Sequence, residues 1–247
     1  MEILSVQSVS KSFDGKAILE DVSLSLHKGE IISLLGVSGA GKTTLFNCIS
    51  GILKADSGSI FLNGCDITGK PGNISYMLQK DMLLEYKKVI DNVSLPLLLS
   101  GMKKKQARTE ALKHFEEFGI AGTENMYPAE LSGGMRQRAA LLRTYLASKG
   151  AALLDEPFSA LDTITKSQMH RWYLSVMEKI DLSTIFITHD IDEAILLSNR
   201  ILILSGSPAK ISREIVIEEP HPRRADFNLT AQFLNYKKQV IEALGTI

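Results

Sequence analysis

The stretch 36-GVSGAGKTT-44 decides the fold of this chain. It follows the apolar run Ile31–Leu35, which is typical of a buried strand, and it precedes the helix-like run Leu45–Ile49. The three glycines let the backbone curl, and a helix that starts after such a curl points its main-chain N–H groups at an anion. Lys42 adds a positive charge that can reach the β- and γ-phosphates of a nucleotide, and the Thr43 hydroxyl suits Mg²⁺. The stretch therefore predicts a phosphate-binding loop.

The composition is that of a large α/β domain with balanced charge. The 247 residues include 28 basic and 28 acidic side chains, so nothing indicates a nucleic-acid-binding surface. The two cysteines have no metal-ligand spacing, and such low cysteine use fits a reducing compartment. The N-terminus lacks a secretion signal, and no apolar stretch reaches the roughly 20 residues that span a bilayer. We expect a soluble, cytoplasmic protein that can still sit on a membrane through a partner.

Hydrophobic periodicity separates an α/β pattern from a helical insertion. Residues 2–35 alternate as short strands do, and from about residue 91 to 146 the spacing of apolar residues becomes helical. Within this insertion one buried helix face is predicted for Ala107, Ala111, Phe115 and Phe118. The α/β pattern then resumes, and a final amphipathic helix is predicted over Leu229–Leu244.

Two adjacent carboxylates, Asp155 and Glu156, follow the apolar run 151-AALL-154. Carboxylates at the end of a buried strand are costly unless a cation or a reacting group uses them. Asp155 is well placed to hold Mg²⁺ opposite Thr43, and Glu156 could polarise an attacking water as a general base. Together with the loop, the pair predicts a hydrolysis site rather than two solvated charges.

A second glycine-rich helix start lies at 131-LSGGMRQR-138. Ser132 is a plausible N-cap, and the glycines leave the helix N–H groups open to an anion. One nucleotide needs only one such helix start. A simple physical solution is that this second one contacts the γ-phosphate bound by another copy of the chain, in a dimer with two nucleotides at its interface.

These motifs together resemble the ATPase subunit of an ATP-binding cassette (ABC) transporter. The resemblance covers nearly the whole chain, and the combination of the phosphate loop, LSGG, 151-AALLDEP-157 and 159-SALD-162 is highly specific. It implies an α/β fold with a P-loop NTPase core, a mainly parallel sheet, an antiparallel β subdomain and an α-helical subdomain. It implies one domain over residues 1–247, in which residues 1–90 and 147–225 form the core with the β subdomain. Residues 91–146 then form the helical subdomain with the signature motif, and residues 226–247 form the C-terminal helix.

The resemblance also assigns roles in catalysis and metal binding. Glu156 is expected to be the general base, and Lys42, Gln79 and His189 are expected to assist it. His189 would bind the γ-phosphate and hold Glu156 and water, whereas Gln79 would contact Mg²⁺ or water and sense a membrane partner. The implied ligands of Mg²⁺ are Thr43, Gln79 and Asp155.

The remaining implied roles concern ATP binding. Phe13 would stack on adenine where the family more often has Tyr. The phosphates would lie on the loop formed by Gly36, Val37, Ser38, Gly39, Ala40, Gly41, Lys42, Thr43 and Thr44. Ser132, Gly133 and Gly134 would bind the nucleotide of the opposite protomer, and Asp162 would contact the neighbouring phosphate loop.

Two observations indicate the class of ABC protein: the insertions that the sequence lacks and the segment at residues 79–97. No membrane helices, coiled-coil or zinc insertion, or second cassette are evident, which leaves a stand-alone subunit. The segment 79-QKDMLLEYKKVIDNVSLPL-97 resembles the nitrate/sulfonate/taurine importer branch, with Tyr86 in place of the usual Trp. That branch also includes carriers of pyrimidine-like thiamine precursors, so the solute stays open. The implied partners are a second ATPase subunit, permease subunits and, indirectly, a solute-binding protein, at the inner face of the membrane. A homodimer is expected, and the sequence leaves a heterodimer open.

Two alternatives differ in function class. A regulatory or scaffold ABC ATPase without a transport role has the same catalytic motifs, so only its partners would distinguish it. A small-molecule P-loop kinase is disfavoured, because a kinase has no use for LSGG and SALD in this order.

Overall fold

A computed structural model describes residues 1–224 and 226–245. The expectations for residue 225, at the end of the core segment, and for residues 246–247, at the end of the C-terminal helix, lie outside the described residues. The strands are β1 (Glu2–Phe13), β2 (Lys16–His27), β3 (Ile31–Leu35), β4 (Ser57–Leu62), β5 (Cys65–Asp66), β6 (Ser75–Met77), β7 (Ala151–Asp155), β8 (Ser183–Ile187), β9 (Arg200–Gly206) and β10 (Ala209–Val216).

The strands form one ten-stranded sheet in the order β5-β4-β1-β2-β10-β9-β3-β8-β7-β6. Strands β9, β3, β8, β7 and β6 pair in parallel, whereas β1, β2, β4 and β5 pair antiparallel. Every residue of β3, β7 and β8 is buried, which explains why apolar residues dominate these strands instead of alternating with polar ones. The predicted α/β fold is confirmed.

The prediction of short strands near the N-terminus is wrong. β1 and β2 each have twelve residues and pair along most of their length. Register shifts interrupt this pairing, and Ser8 and Asp21 have positive φ values of 49° and 51° close to them. Bulges break the alternation of apolar and polar residues, so one long strand has the sequence pattern of several short ones.

The helices are α1 (Lys42–Ile49), α2 (Val89–Val93), α3 (Leu95–Leu99), α4 (Lys104–Leu112), α5 (Gly133–Ala147), α6 (Thr163–Met177), α7 (Ile191–Leu197) and α8 (Ala231–Leu244). In the described parts of the chain, none of them is long and apolar enough to cross a bilayer.

The residues expected on one helix face are all buried, but they do not share a helix. Ala107 and Ala111 belong to α4, whereas Phe115 and Phe118 follow in turns after the helix has ended at Leu112. Phe118 packs against the rings of Tyr145 and Trp172, which come from α5 and α6. The spacing therefore predicted the buried residues correctly, but it predicted a helix that is longer than α4.

Candidate active site

The first residue of the loop between β3 and α1 is Gly36, and there is no space for a side chain at this position. A Cβ on Gly36 would lie 2.4 Å from the carbonyl oxygen of Leu204 on the neighbouring strand β9. Gly41, which caps α1, has φ +91°, a left-handed conformation that favours glycine. Two of the predicted glycines are thus required by the chain itself, one by close packing and one by its backbone conformation.

Lys42 folds back over the loop. Its ammonium donates to the carbonyl oxygens of Gly36 (2.7 Å) and Val37 (3.1 Å). Burial lowers the pKa of Lys42, although the charges of Glu156 and Asp155 oppose this effect. The side chain is half buried and shares the cleft with two carboxylates, so it holds a positive charge where a phosphate would enter.

Asp155 lies at the end of β7 and is 9% exposed. The pKa of this carboxyl is raised above its ordinary value, because the effect of burial outweighs the hydrogen bond from Tyr76 and the nearby Lys42 charge, which both lower it. The Tyr76 hydroxyl donates to Oδ2 of Asp155 over 3.3 Å, and its ring packs edge-on against Phe46 at 5.8 Å. Tyr76 therefore orients Asp155. Sequence reasoning missed it, and its only signal was a tyrosine in the apolar strand that precedes Gln79.

Glu156 is held by two other predicted residues. Its Oε1 lies 3.1 Å from Nδ1 of His189, and its Oε2 accepts a 3.0 Å hydrogen bond from Nε2 of Gln79. Its backbone has φ 45°, an uncommon conformation for a residue other than glycine, and its N–H donates to Ile187 at the end of β8. This turn carries Glu156 out of line with β7 and towards His189, so Asp155 and Glu156 point to different partners.

One cleft of about 750 Å³ unites most of the predicted site. Its lining includes these predicted residues: Phe13, Ser38, Gly39, Ala40, Gly41, Lys42, Thr43, Thr44, Gln79, Asp155, Glu156 and His189. Gly36 and Val37 are not among them and instead accept the Lys42 hydrogen bonds. Ile18 and Ile187 also line the cleft, and they add apolar surface that the sequence did not identify.

Phe13 lies at the end of β1 with 45% of its surface exposed. Lys11 approaches its ring to 5.5 Å from the centroid. An exposed aromatic ring at the mouth of a cleft lined by the predicted phosphate-binding loop offers a flat surface on which a nucleobase can stack.

The other predicted nucleotide-binding residues lie elsewhere in the same chain. Ser132, Gly133, Gly134 and Asp162 line a separate cavity of about 570 Å³, which shares no lining residue with the first cleft. Ser132 caps α5 by accepting from the Met135 N–H. Asp162 caps α6 by accepting from the N–H groups of Ile164 and Thr165, and hydrogen bonding to Thr165 lowers its pKa.

Packing within the chain does not explain why positions 133 and 134 are glycine. An added Cβ would lie 3.6 Å from Leu161 at the first position and 3.6 Å from Met169 at the second, which are ordinary contacts. Neither glycine has a positive φ. Glycine is a poor helix residue, and nothing in the described part of the chain explains its presence at this helix start.

Divalent metal could bind in the first cleft only together with a further ligand. Within residues 1–224 and 226–245, no three His, Cys, Asp or Glu side chains are grouped to hold a metal. The oxygen donors Thr43, Gln79 and Asp155 do line the same cleft, and oxygen is what Mg²⁺ prefers. These residues therefore fit a Mg²⁺ ion whose coordination is completed by phosphate oxygens and water.

Comparison with known proteins identifies the family. The model of the ABC transporter family matches residues 19–159. The chain is 44% identical over 208 residues to the formylaminopyrimidine import ATP-binding protein ThiZ of Halalkalibacterium halodurans, covering 84% of this chain and 81% of that protein. It is 38% identical to the taurine import ATP-binding protein TauB of Yersinia pestis, with 85% and 82% covered. It is 36% identical to the aliphatic sulfonates import ATP-binding protein SsuB of Bacillus cereus, with 97% and 94% covered.

Solved structures agree with this assignment. A dimeric, post-hydrolysis structure of the ATP-binding cassette MJ0796 bound to ADP and Pi has 25% identity and a TM-score of 0.74, covering 87% of this chain and 99% of that one. A nucleotide-free cassette from an ABC transporter has 22% identity and a TM-score of 0.80, covering 98% of both chains, and supports the fold. The resemblance predicted from the sequence motifs is confirmed: the chain belongs to the ABC transporter family and is one of its ATP-hydrolysing cassettes.

Proposed function

We propose that this chain energises the import of a small polar organic solute through separate permease subunits, as a dimer that encloses two nucleotides. The observation that carries the proposal is the division of the site into two cavities. The phosphate loop and the carboxylates line one cavity, and Ser132, Gly134 and Asp162 line the other. Two copies related by a two-fold axis bring each cavity against its complement, which makes two equivalent complete sites.

ATP and Mg²⁺ fit the first cleft as follows. Phe13 would stack on the base, the loop N–H groups and Lys42 would hold the phosphates, and Thr43, Gln79 and Asp155 would hold Mg²⁺. When bound, the ion would neutralise negative charge on the phosphates. Tyr76 keeps the Asp155 carboxylate in one orientation, which favours a single geometry of that ligand. Ser132 and the N–H groups at Gly133 and Gly134 of the second copy contact the γ-phosphate from the other side.

Hydrolysis depends on the group formed by Glu156, His189 and Gln79. Glu156 accepts a proton from the attacking water, whose oxygen bonds to the γ-phosphorus while the bond from that phosphorus to the bridging oxygen breaks and ADP leaves with the electron pair. His189 and Gln79 fix the two oxygens of this carboxylate, so the general base is oriented before the nucleotide arrives. Lys42 and the partner's helix start stabilise the charge that develops on the phosphoryl oxygens.

The transport role is supported by the relatives whose names specify import of formylaminopyrimidine, taurine and aliphatic sulfonates. These solutes share small size and polarity, which is the class that we propose here. The residues 91–146 are proposed as the helical subdomain, and Gln79 as the residue that senses the permease. A solute-binding protein would deliver the solute, and the cassette would lie at the inner face of the membrane.

The substitution Glu156→Gln tests the catalytic part of this proposal. It removes the proton acceptor and keeps the shape of the side chain. We expect ATP binding to persist, turnover to be abolished, and a dimer to accumulate with ATP in size-exclusion chromatography. Glu116→Gln, at an exposed glutamate outside both cavities, is the matched control with normal turnover. Normal turnover in the Glu156→Gln variant would disprove the assignment of the general base.

The transport role is tested by expressing the tagged chain in its native membrane context. Co-purification with a multi-span permease, and stimulation of ATP hydrolysis by that permease in liposomes, are the expected results. Recovery without any membrane protein would favour the rival function of a regulatory ABC ATPase.

A further inference from the structure

A partly buried polar cluster lies behind the catalytic group and joins α6 to α7. The Lys166 ammonium lies 2.7 Å from Oδ2 of Asp190 and 2.9 Å from Oε2 of Glu193. Nε2 of His170 lies 3.3 Å from the same oxygen of Glu193. Glu193 is only 2% exposed, so this carboxylate depends on the cluster for its counter-charge and hydrogen bonds.

One of the two helices joined by the cluster is capped by a predicted site residue, and the other is capped by the residue that follows one. Asp162 caps α6, and its carbonyl oxygen accepts from the Lys166 N–H at 2.8 Å, so Lys166 lies one turn into that helix. Asp190 caps α7 by accepting from the Glu193 N–H, and it directly follows His189. A single lysine therefore connects the helix that begins at Asp162 with the cap next to His189.

The cluster also contacts the segment that carries the general base. The His170 ring packs edge-on against Phe158 at 5.1 Å, and Phe158 is two residues after Glu156. Burial would lower the pKa of Lys166, but hydrogen bonds to Asp190 and Glu193 outweigh it and raise the pKa. Lys166 thus remains charged in a half-buried position, where each of its two ion pairs has a defined geometry.

We propose that Lys166, paired with Asp190 and Glu193, is a positioning residue that transmits displacement of Asp162 at the dimer interface to His189 of the same chain. Because α6 and α7 are rigid elements joined near their starts, a shift of one cap moves the other. Closure against a second copy would then move His189, which already lies 3.1 Å from Glu156, relative to the bound γ-phosphate. The inference rests on the proposed dimer for the motion of Asp162, whereas the link itself is present within one chain.

The test compares three variants in steady-state ATP hydrolysis. Lys166→Met keeps the aliphatic stem but leaves the buried Glu193 without a counter-charge, and this variant can fail to fold. Lys166→Met combined with Glu193→Gln removes the link without leaving that charge. Lys166→Arg keeps a cation and can restore both ion pairs. Lys28→Met, which breaks an exposed ion pair with Asp181, is the control.

For the double variant we expect kcat to fall about tenfold while KM for ATP changes less than about twofold, because catalytic geometry and not binding is altered. Lys166→Arg should recover most of kcat. All measurements are made well below the melting temperature of each variant, which separates positioning from loss of fold. A kcat within twofold of the wild type in the double variant, or no recovery with arginine, would overturn the inference.

The Glu156→Gln variant is measured in parallel to separate this inference from the proposed function. If Glu156→Gln traps an ATP-bound dimer but the double variant retains its kcat, only the role of Lys166 is wrong. If Glu156→Gln fails to stop turnover, the assignment of Glu156 as the general base is wrong, whatever the result with the Lys166 variants.

Discussion

The Glu156 carboxylate and the His189 imidazole lie 3.1 Å apart, joined through Oε1 and Nδ1. The other ring nitrogen of His189 makes no hydrogen bond with the described residues, and 65% of the His189 side chain is exposed. Glu156 is less exposed, at 21%, and Gln79 holds its second oxygen. A partly shielded base with an exposed histidine beside it leaves one nitrogen free to bind an incoming phosphate.

His189→Ala should therefore separate binding from chemistry. We expect kcat to fall about 10²-fold, because one aligned donor and the orientation of Glu156 are lost. The dissociation constant for ATP should change little, since Lys42 and the loop supply most phosphate contacts. The free energy of unfolding should change by less than about 0.5 kcal/mol, because the side chain is exposed. Steady-state kinetics, nucleotide titration and chemical denaturation give the three values.

The control for this variant is His27→Ala, which removes a half-exposed imidazole near the opposite end of β3. Equal loss of kcat in the two variants would contradict a specific role of His189.

Two glycine substitutions should have opposite effects on stability. Gly134→Ala introduces a methyl group with ordinary contacts near Met169 and Thr165, and alanine favours a helix by up to about 1 kcal/mol. We expect unchanged or higher stability together with loss of ATP hydrolysis, because the partner's nucleotide needs that space. Gly36→Ala drives a Cβ into the Leu204 carbonyl oxygen and should cost about 1–3 kcal/mol.

Thermal melts and ATPase assays of both glycine variants test this contrast. A fully active Gly134→Ala variant would mean that nothing approaches α5 closely, and the two-cavity dimer would lose its main steric support.

Tyr76→Phe removes one hydroxyl and keeps the ring against Phe46. Asp155 then loses its 3.3 Å hydrogen bond at a buried position, which should cost about 1 kcal/mol of unfolding free energy. We also expect ATP binding to need more Mg²⁺, because the orientation of Asp155 becomes less defined. Calorimetric titration of ATP at several Mg²⁺ concentrations measures this. Tyr145→Phe, whose hydroxyl makes no hydrogen bond within the described residues, should leave both quantities near wild type.

Stability should fall in acid because of the pair formed by Glu30 and Arg200. Burial raises the pKa of Glu30, but Arg200 at 2.5 Å and the His27 N–H outweigh it, so the pKa lies below its ordinary value of 4.5. A carboxyl with a lowered pKa adds stability above the ordinary value and loses that contribution as pH falls through its folded-state value. The contribution should therefore be complete at pH 7 and decrease below about pH 5.

Glu30→Gln tests this dependence. It should cost about 3 kcal/mol at pH 7, because the partly buried Arg200 loses a bidentate partner. In urea denaturation, the difference in the free energy of unfolding between this variant and the wild type should become smaller below about pH 5. Glu20→Gln breaks an exposed pair with Lys210 and should change stability by less than about 0.5 kcal/mol at either pH. A pH-independent difference for Glu30→Gln would contradict the electrostatic explanation.

Sequence reasoning succeeded where chemistry and conformation are local. The loop glycines, the carboxylates at the end of β7, the cap at Ser132 and the C-terminal helix follow from short patterns of a few residues. Sequence reasoning failed where a feature depends on pairing or packing between residues that are far apart in the chain. The lengths of β1 and β2 depend on bulges opposite partner strands, and the role of Tyr76 depends on β6 lying beside β7.

The sequence by itself determined that this chain binds a nucleotide triphosphate and has the residues to hydrolyse it, because glycine geometry and adjacent carboxylates encode that chemistry locally. Only the tertiary structure decided where those residues meet. It placed Glu156 between Gln79 and His189, set Tyr76 on Asp155, and separated the Ser132 and Asp162 cavity from the phosphate loop. The order of strands in the sheet, rather than their order in the chain, fixes these distances, and no local pattern contains that order.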